Sequence, residues 1–515
     1  MRSAPQANFA SRLAERLSTR SQLVDAANNE SIGAEEIRAG IRGFASAFRA
    51  AGLEIGDRVL IGCGLRPISS IAYLGAMFGG LVPVPVNESA MESLGAALAV
   101  VARARAVWTE CAMRTRWTEH AGLRELTGRL SAPGRPIGPA HRGESDLAVL
   151  MATSGSTGKP KLVTVTHGNL AANTEAIIRS QAIGVDERAM LILPLSYCFG
   201  ASILHTHLYC GGAVVFDSRF MFPDKVVHAI ADYRCTTFAG VPSVYNILLR
   251  RSNIRRIPLP SLRRLLQAGG ALSAERILEL RMAVPDAQFF AMYGQTEATS
   301  RISCLPPDRL GEKLGSVGVP LDNLFVRILG PDGTDVPTGE SGELWISGPS
   351  VCPGYYEDPD ETRRKYHDGW LATGDIVSRD ADGFLWITGR KSEFVKMRGV
   401  RVSFAEIESR ISAVVGVSDC AAMVTAHPEA GEAIAIYVVV DGNPEEVCAS
   451  IRRSIPTEWI CDSFRLVREL PRNAHGKLVR PLLADVEFVA HPAKTADIAR
   501  TALPKHLDPS PVTRL

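Results

Sequence analysis

The sequence predicts an α/β protein: a large, layered, multi-sheet N-terminal domain followed by a small, mobile α+β C-terminal domain. Three observations predict it. The chain has 515 residues, and a single core stops growing near roughly 250–300 residues, so at least two units are needed. Helical and strand patterns alternate as far as Arg390, which suits a layered body with at least one mostly parallel sheet. After Arg390 the same alternation restarts on a smaller scale.

Taken in order, MRSAPQANFASRLAERL at the start has the spacing of an amphipathic helix and lacks the apolar core of a signal peptide. RVLIGCG reads as a strand, IAYLGAMFGG as a helix, LVPVPV as a strand and LGAALAVVARARA as a helix. Pro67–Asn87 is uncharged and on length alone could span a bilayer. Its Gly79-Gly80 pair, Pro83, Pro85 and alternating VPVPV make it a buried helix that runs into a strand. VRILG and GELWISG are short strands, and ADGFLWITGR is a turn, a strand and an exposed turn. Beyond it come a helix (FAEIESRISAV), a strand (AIAIYVVV) and a second helix (EEVCASIRRSI). The domains are therefore 1–390 and 391–488, with a hinge near Arg390–Ser392 and a flexible or partner-docking tail over 489–515.

There are 57 basic and 55 acidic residues, a balance that speaks against nucleic acid or an anionic membrane as partner. No integral membrane association is expected. The ten cysteines include no CxxC pair, so neither a zinc site nor a disulfide framework is predicted, and free thiols point to the cytoplasm. His205 and His207 gather no further ligands around them and read as a packed pair.

Thr153-Ser154-Gly155-Ser156-Thr157-Gly158-Lys159-Pro160-Lys161 follows the apolar run LAVLMA, which reads as a strand. Two glycines let the backbone curl around an anion, and four hydroxyls with two lysines supply donors and positive charge. It is not a Walker A loop, because only two residues separate Gly155 from Gly158 and Pro160 follows the lysine. By itself such a run also suits a surface turn. As a motif, TSGSTGKPK resembles the phosphate loop of the adenylate-forming superfamily, which includes acyl-CoA synthetases, peptide synthetase adenylation domains and luciferases. Leu162 departs from the glycine usual in that family, outside the phosphate-cradling stretch.

Further motifs follow in order, and the resemblance spans about Gly33 to Pro481. Tyr293-Gly294-Gln295-Thr296-Glu297 offers a flat ring for a purine, a hydroxyl for phosphate and a hard oxygen for Mg²⁺. It resembles the family's second core motif, to which those roles belong. Gly270 and Ala271 join the nucleotide-binding set by the same resemblance. In WLATGDIV, Asp375 at a turn can accept both ribose hydroxyls, and the family's TGD motif gives it that role. Gly389-Arg390 resembles the hinge motif, whose arginine also reaches the ribose. Ser392 aligns with the pivot, where many relatives carry Asp or Lys. Lys396 and Gly399 in KMRGVRVS resemble the loop that lines a pantetheine channel. Lys477 in PRNAHGK matches the lysine that bridges the substrate carboxylate and the ATP α-phosphate. A cation is needed there, since two anions must meet and charge grows as pyrophosphate leaves.

The resemblance implies an enzyme that uses ATP and Mg²⁺ to turn a small-molecule carboxylic acid into an acyl-adenylate and then passes the acyl group to a thiol. Tyr197, Phe199, Gly200, Val241 and Gly269 are candidate walls of the acyl pocket. Where amino-acid-activating relatives carry Phe-Asp, this chain has Phe199-Gly200, and no acidic residue occurs from Leu191 to Phe216. A buried ammonium without a counter-charge is strongly disfavoured, so an apolar acyl or aryl acid is expected rather than an α-amino acid. The thiol is that of coenzyme A or of a carrier-protein phosphopantetheine. The stretch GELWISGPSVCPGYYEDPDET lacks the insertion common in fatty acyl-AMP ligases, which favours coenzyme A. A degenerate, non-catalytic homologue would have lost Lys477, Glu297 or Asp375; all three are present.

Overall fold

The computed structural model describes residues 7–111, 122–128, 137–154, 160–391, 393–397, 400–427, 431–456, 459–472 and 478–487. They form two compact units that part after Lys391. Gly155, Ser156, Thr157, Gly158, Lys159, Ser392, Gly399, Lys477 and the tail lie outside the described residues, as do the side chains of Ser154 and Lys396.

In the first unit, five strand connections build a parallel centre. The order across the sheet is Gln288–Tyr293, Arg264–Gln267, Thr237–Gly240, Arg188–Leu191, Ala213–Phe216 and Gln22–Asp25. Antiparallel strands close both edges of this nine-stranded sheet. The central strands are buried along both faces over Phe289–Met292, Leu265–Gln267 and Thr237–Gly240, as parallel sheets require. A second, four-stranded sheet is parallel throughout and contains Arg58–Cys63 and Val82–Asn87. Pro67–Phe78 enters it as a helix with Pro67 in its first turn and almost every residue buried. No described helix is long and apolar enough to cross a membrane.

Two antiparallel sheets complete this unit. Pro160–Thr166 lies between Leu147–Ser154 and Gly354–Tyr355 and pairs with both. Trp370–Arg379 lies between Ser341–Ser347 and Leu385–Arg390. Buried His205 sits 3.3 Å from the Tyr73 hydroxyl, and His207 Nδ1 lies 2.9 Å from the Ile203 carbonyl. Burial lowers their pKa values to about 3 and about 4. Both are neutral packing groups, and the ten cysteines are free.

The second unit pairs Val417–His427 antiparallel and Cys461–Leu466 parallel with Gly431–Val440. Helices Phe404–Ser412 and Pro444–Ser454 contribute Ile407, Ile411, Val447 and Ile451 to its separate core.

Candidate active site

Four neighbouring parallel strands end beside one another, and the residues just past their carboxyl ends include eleven of the predicted site residues. Arg188–Leu191 leads to Tyr197, Phe199 and Gly200. Thr237–Gly240 leads to Val241, Arg264–Gln267 to Gly269, Gly270 and Ala271, and Gln288–Tyr293 to Gly294, Gln295, Thr296 and Glu297. In open α/β sheets ligands bind outside these carboxyl ends, where backbone groups and side chains of several loops converge.

The loops touch. Gly269 has φ +87°, and a Cβ there would lie 2.5 Å from the Tyr197 hydroxyl oxygen and 3.1 Å from Val241. Only glycine admits that approach. The Thr296 hydroxyl donates to Cys198 Sγ at 3.5 Å. Gly270 and Ala271 remain exposed, and the Gly270 carbonyl accepts from Gln267 Nε2 at 2.7 Å. Tyr197 and Phe199 meet edge-on, their centroids 6.3 Å apart. Gly200 has a packing role: a Cβ there would lie 2.4 Å from the Pro194 carbonyl oxygen.

Gly294 turns the chain back on itself. A Cβ there would lie 1.8 Å from the Ser300 carbonyl oxygen. The Ile302 N–H donates to the Tyr293 carbonyl at 2.9 Å and closes the loop at its base. On this loop Glu297 accepts from the Tyr355 hydroxyl at 2.6 Å through Oε1. Burial first, and the Glu297 charge next, push the Tyr355 hydroxyl far above its ordinary range, so it stays a donor. Glu297 Oε2 has no protein partner among the described residues, so a hard oxygen is left for a cation.

Tyr293 is 7% exposed and packs among Ala298, Ile302, Ile328 and Leu344. Little of its ring is left to face a purine, because the neighbouring antiparallel sheet covers it. Its hydroxyl instead donates to Asp375 Oδ2. Asp375 Oδ1 lies 2.8 Å from Arg390 Nε, and the two residues are direct partners across an antiparallel pair. The expectation that Asp375 sits at a turn is corrected: it lies within the ten-residue strand Trp370–Arg379, where Gly374 has φ +77°.

Thr153 and Lys161 face each other in the hairpin whose strands flank the phosphate motif. Lys161 Nζ lies 2.9 Å from Glu361 Oε1, and both side chains are nearly buried. Lys161, expected at the phosphates, is here in an ion pair with a residue of the Pro359–Lys365 helix. Leu162, the departure from the family pattern, is buried in a core cluster.

Three residues of this region escaped the sequence reading: Tyr355, Cys198 and Arg301. Arg301 is 1% exposed and lies 4.8 Å over the Phe199 ring. Tyr355 is separated from Glu297 by 58 positions, and no local pattern links them.

A family model described as AMP-binding enzyme matches residues 11–356, and one described as AMP-binding enzyme C-terminal domain matches residues 406–477. A feruloyl-CoA synthase of Amycolatopsis sp. is 34% identical over 454 residues, which cover 85% of this chain and 90% of that relative. ATP-bound MatB from Rhodopseudomonas palustris matches with a TM-score of 0.85 at 26% identity, over 93% of this chain and 98% of MatB. The o-succinylbenzoate CoA synthetase (MenE) of Bacillus subtilis, in complex with the acyl-adenylate intermediate OSB-AMP, matches with a TM-score of 0.84 at 26% identity. That match covers 94% of this chain and 99% of MenE.

Proposed function

The chain belongs to the AMP-binding enzyme family and is an AMP-forming acid–thiol ligase, and we propose that it joins an apolar acyl or aryl carboxylic acid to coenzyme A. The observation that carries this reading is the convergence of the nucleotide and acyl residues beyond four adjacent parallel strands. The missing counter-charge for an ammonium in Leu191–Phe216 supports the acid class.

In the first half-reaction a carboxylate oxygen attacks the α-phosphorus of ATP, and the bond to pyrophosphate breaks. Asp375 receives the ribose hydroxyls on the lone pairs that Tyr293 and Arg390 leave open. Thr153 to Lys159 hold the phosphates with backbone donors, hydroxyls and the Lys159 charge, while Lys161 stays with Glu361. Thr296 offers its hydroxyl to the phosphate. Mg²⁺, when bound, supplies charge neutralisation at the phosphates, and Glu297 is the residue that would hold it. Lys477 joins the two anions and stabilises charge in the transition state.

In the second half-reaction the small domain turns about Arg390–Ser392, which withdraws Lys477 and brings in Lys396 and Gly399 to line a thiol channel. The thiol sulfur attacks the acyl carbonyl, the carbon–sulfur bond forms and AMP leaves with the carboxyl oxygen.

Lys477→Ala tests the first step. Acid-dependent ATP–pyrophosphate exchange is expected to fall by roughly 10²–10³-fold, while supplied acyl-AMP is still thiolated. Unchanged exchange overturns the assignment. Running the thiolation with coenzyme A and with a holo-carrier protein separates the two acceptors. Thioester formed on the carrier alone would replace coenzyme A with phosphopantetheine.

A further inference from the structure

Buried charges in the first unit are normally paired: Asp217 with Arg219, Asp375 with Arg390, Glu187 with Arg263. Arg301 is treated differently. It is 1% exposed, and its Nε and Nη2 are buried with no hydrogen-bond partner among the described residues. Its main chain is well anchored, since its N–H donates to Asn173 Oδ1 at 3.2 Å and its carbonyl accepts from Asn173 Nδ2 at 2.9 Å. The residue is therefore held in place while its charge is left unanswered.

The described surroundings offer no anion. The ionisable groups around the guanidinium are Cys304, Cys198 and Tyr197. Burial pushes the Cys304 thiol up to about 12 and the Tyr197 hydroxyl upward as well, so both stay neutral. A guanidinium does not lose its proton in a protein. Stacking on Phe199 at 4.8 Å recovers part of the desolvation cost, and removal of two charged-group hydrogen bonds outweighs it. Gln295 Nε2 and Ser300 Oγ on the same loop are also buried without partners among the described residues. Thus Gln295–Arg301 carries three side chains with donors that meet no acceptor among the described residues, and Arg301 among them lies beside Tyr197 and Phe199 of the acyl pocket.

We propose that Arg301 anchors a second carboxylate on the acid, at the end remote from the carboxylate that is activated. The substrate is then a dicarboxylic acid with an apolar or aromatic spacer, activated at one end only. A planar carboxylate fits the two parallel N–H donors of a guanidinium fork. The assignment rests on the ligase reading above and deepens it. It also explains how a site without acidic residues over Leu191–Phe216 selects an acid by charge.

The test uses the full chain and ATP–pyrophosphate exchange with matched acids: aryl monoacids bearing a distal methyl, carboxamide, sulfonate or carboxylate, and aliphatic mono- and diacids of equal length. The expected kcat/KM for the distal carboxylate exceeds that for the methyl and carboxamide by roughly 10–100-fold. Arg301→Met and Arg301→Gln are expected to bring that ratio near one, and Arg301→Lys to restore part of it. A sulfonate preferred over the carboxylate overturns the carboxylate assignment. Equal rates for charged and neutral acids in the unmutated chain also overturn it, as does an equal loss for all acids in both variants. Each of these three results leaves the ligase reading intact. No exchange with any acid overturns the ligase reading itself and this assignment with it.

Discussion

The two ends of the candidate cleft handle buried charge in opposite ways. At the nucleotide end, Asp375 is 2% exposed and already holds a guanidinium and a phenolic hydroxyl. At the acyl end, Arg301 is 1% exposed and holds neither a carboxylate nor a carbonyl of the described residues on its Nε and Nη2. The first charge is stabilised by the protein and serves every ATP molecule alike. The second is left to its ligand. A group satisfied in advance gives a rigid, general contact, whereas an unsatisfied one gives discrimination, because a ligand lacking the complement leaves it buried and unpaired.

The sharpest way to break this contrast is to remove each charge and watch stability. Asp375→Ala leaves the Tyr293 hydroxyl and part of the Arg390 fork without an acceptor. It is expected to destabilise the first unit by about 1–3 kcal/mol, the Arg390 share being reduced because that side chain is half exposed. It should also raise KM for ATP. Calorimetry of the free protein and ATP titration read the two effects, and an unchanged melting temperature breaks the comparison. Arg301→Met is expected to move stability the other way, since exchanging a buried unpaired cation for an apolar side chain removes a desolvation cost. A lower melting temperature for Arg301→Met would mean the guanidinium is a brace and not a waiting contact.

The smallest effect concerns Glu187, a charge paired as Asp375 is but away from the site. Burial opposes its ionisation, yet the Thr236 hydroxyl with Arg264 and Arg263 outweighs burial and holds its pKa below the ordinary 4.5. A carboxylate depressed in the folded state adds stability above its unfolded pKa and loses it as pH falls through the folded value. Melting temperature should therefore drop below about pH 4.5, and drop less steeply in Glu187→Gln. Parallel acid limbs for the two proteins would assign that stability to other carboxylates.

The sequence made the strand-end turns legible because glycine and hydroxyl residues punctuate them: Gly294 after FFAM and Gly269 after RLLQ both mark places where a Cβ cannot fit. It did not reveal the ion pair of Lys161, whose neighbours in the chain suggest phosphate. Glu361, its partner, lies on a helix 200 positions away and reaches it only through sheet register. Asp375 looked like a turn residue because of Gly374, although the strand continues through that glycine. Arg301 left no trace at all. A polar run such as TSRIS reads the same whether its arginine points to water or into a core, and only tertiary packing against Phe199 decides.

The tight closure at Gly294 has a consequence for anyone who would retarget this protein. Glu297 and Arg301 stand on one small ring of backbone, pinned at Tyr293–Ile302 and crowded at Gly294–Ser300. A new tail group that pulls Arg301 aside displaces the oxygen offered at Glu297 as well. Acid choice and nucleotide handling are therefore not independent dials. The natural unit of exchange is the whole cassette from Gly294 to Arg301, moved together with the Asn173 side chain that grips its far end.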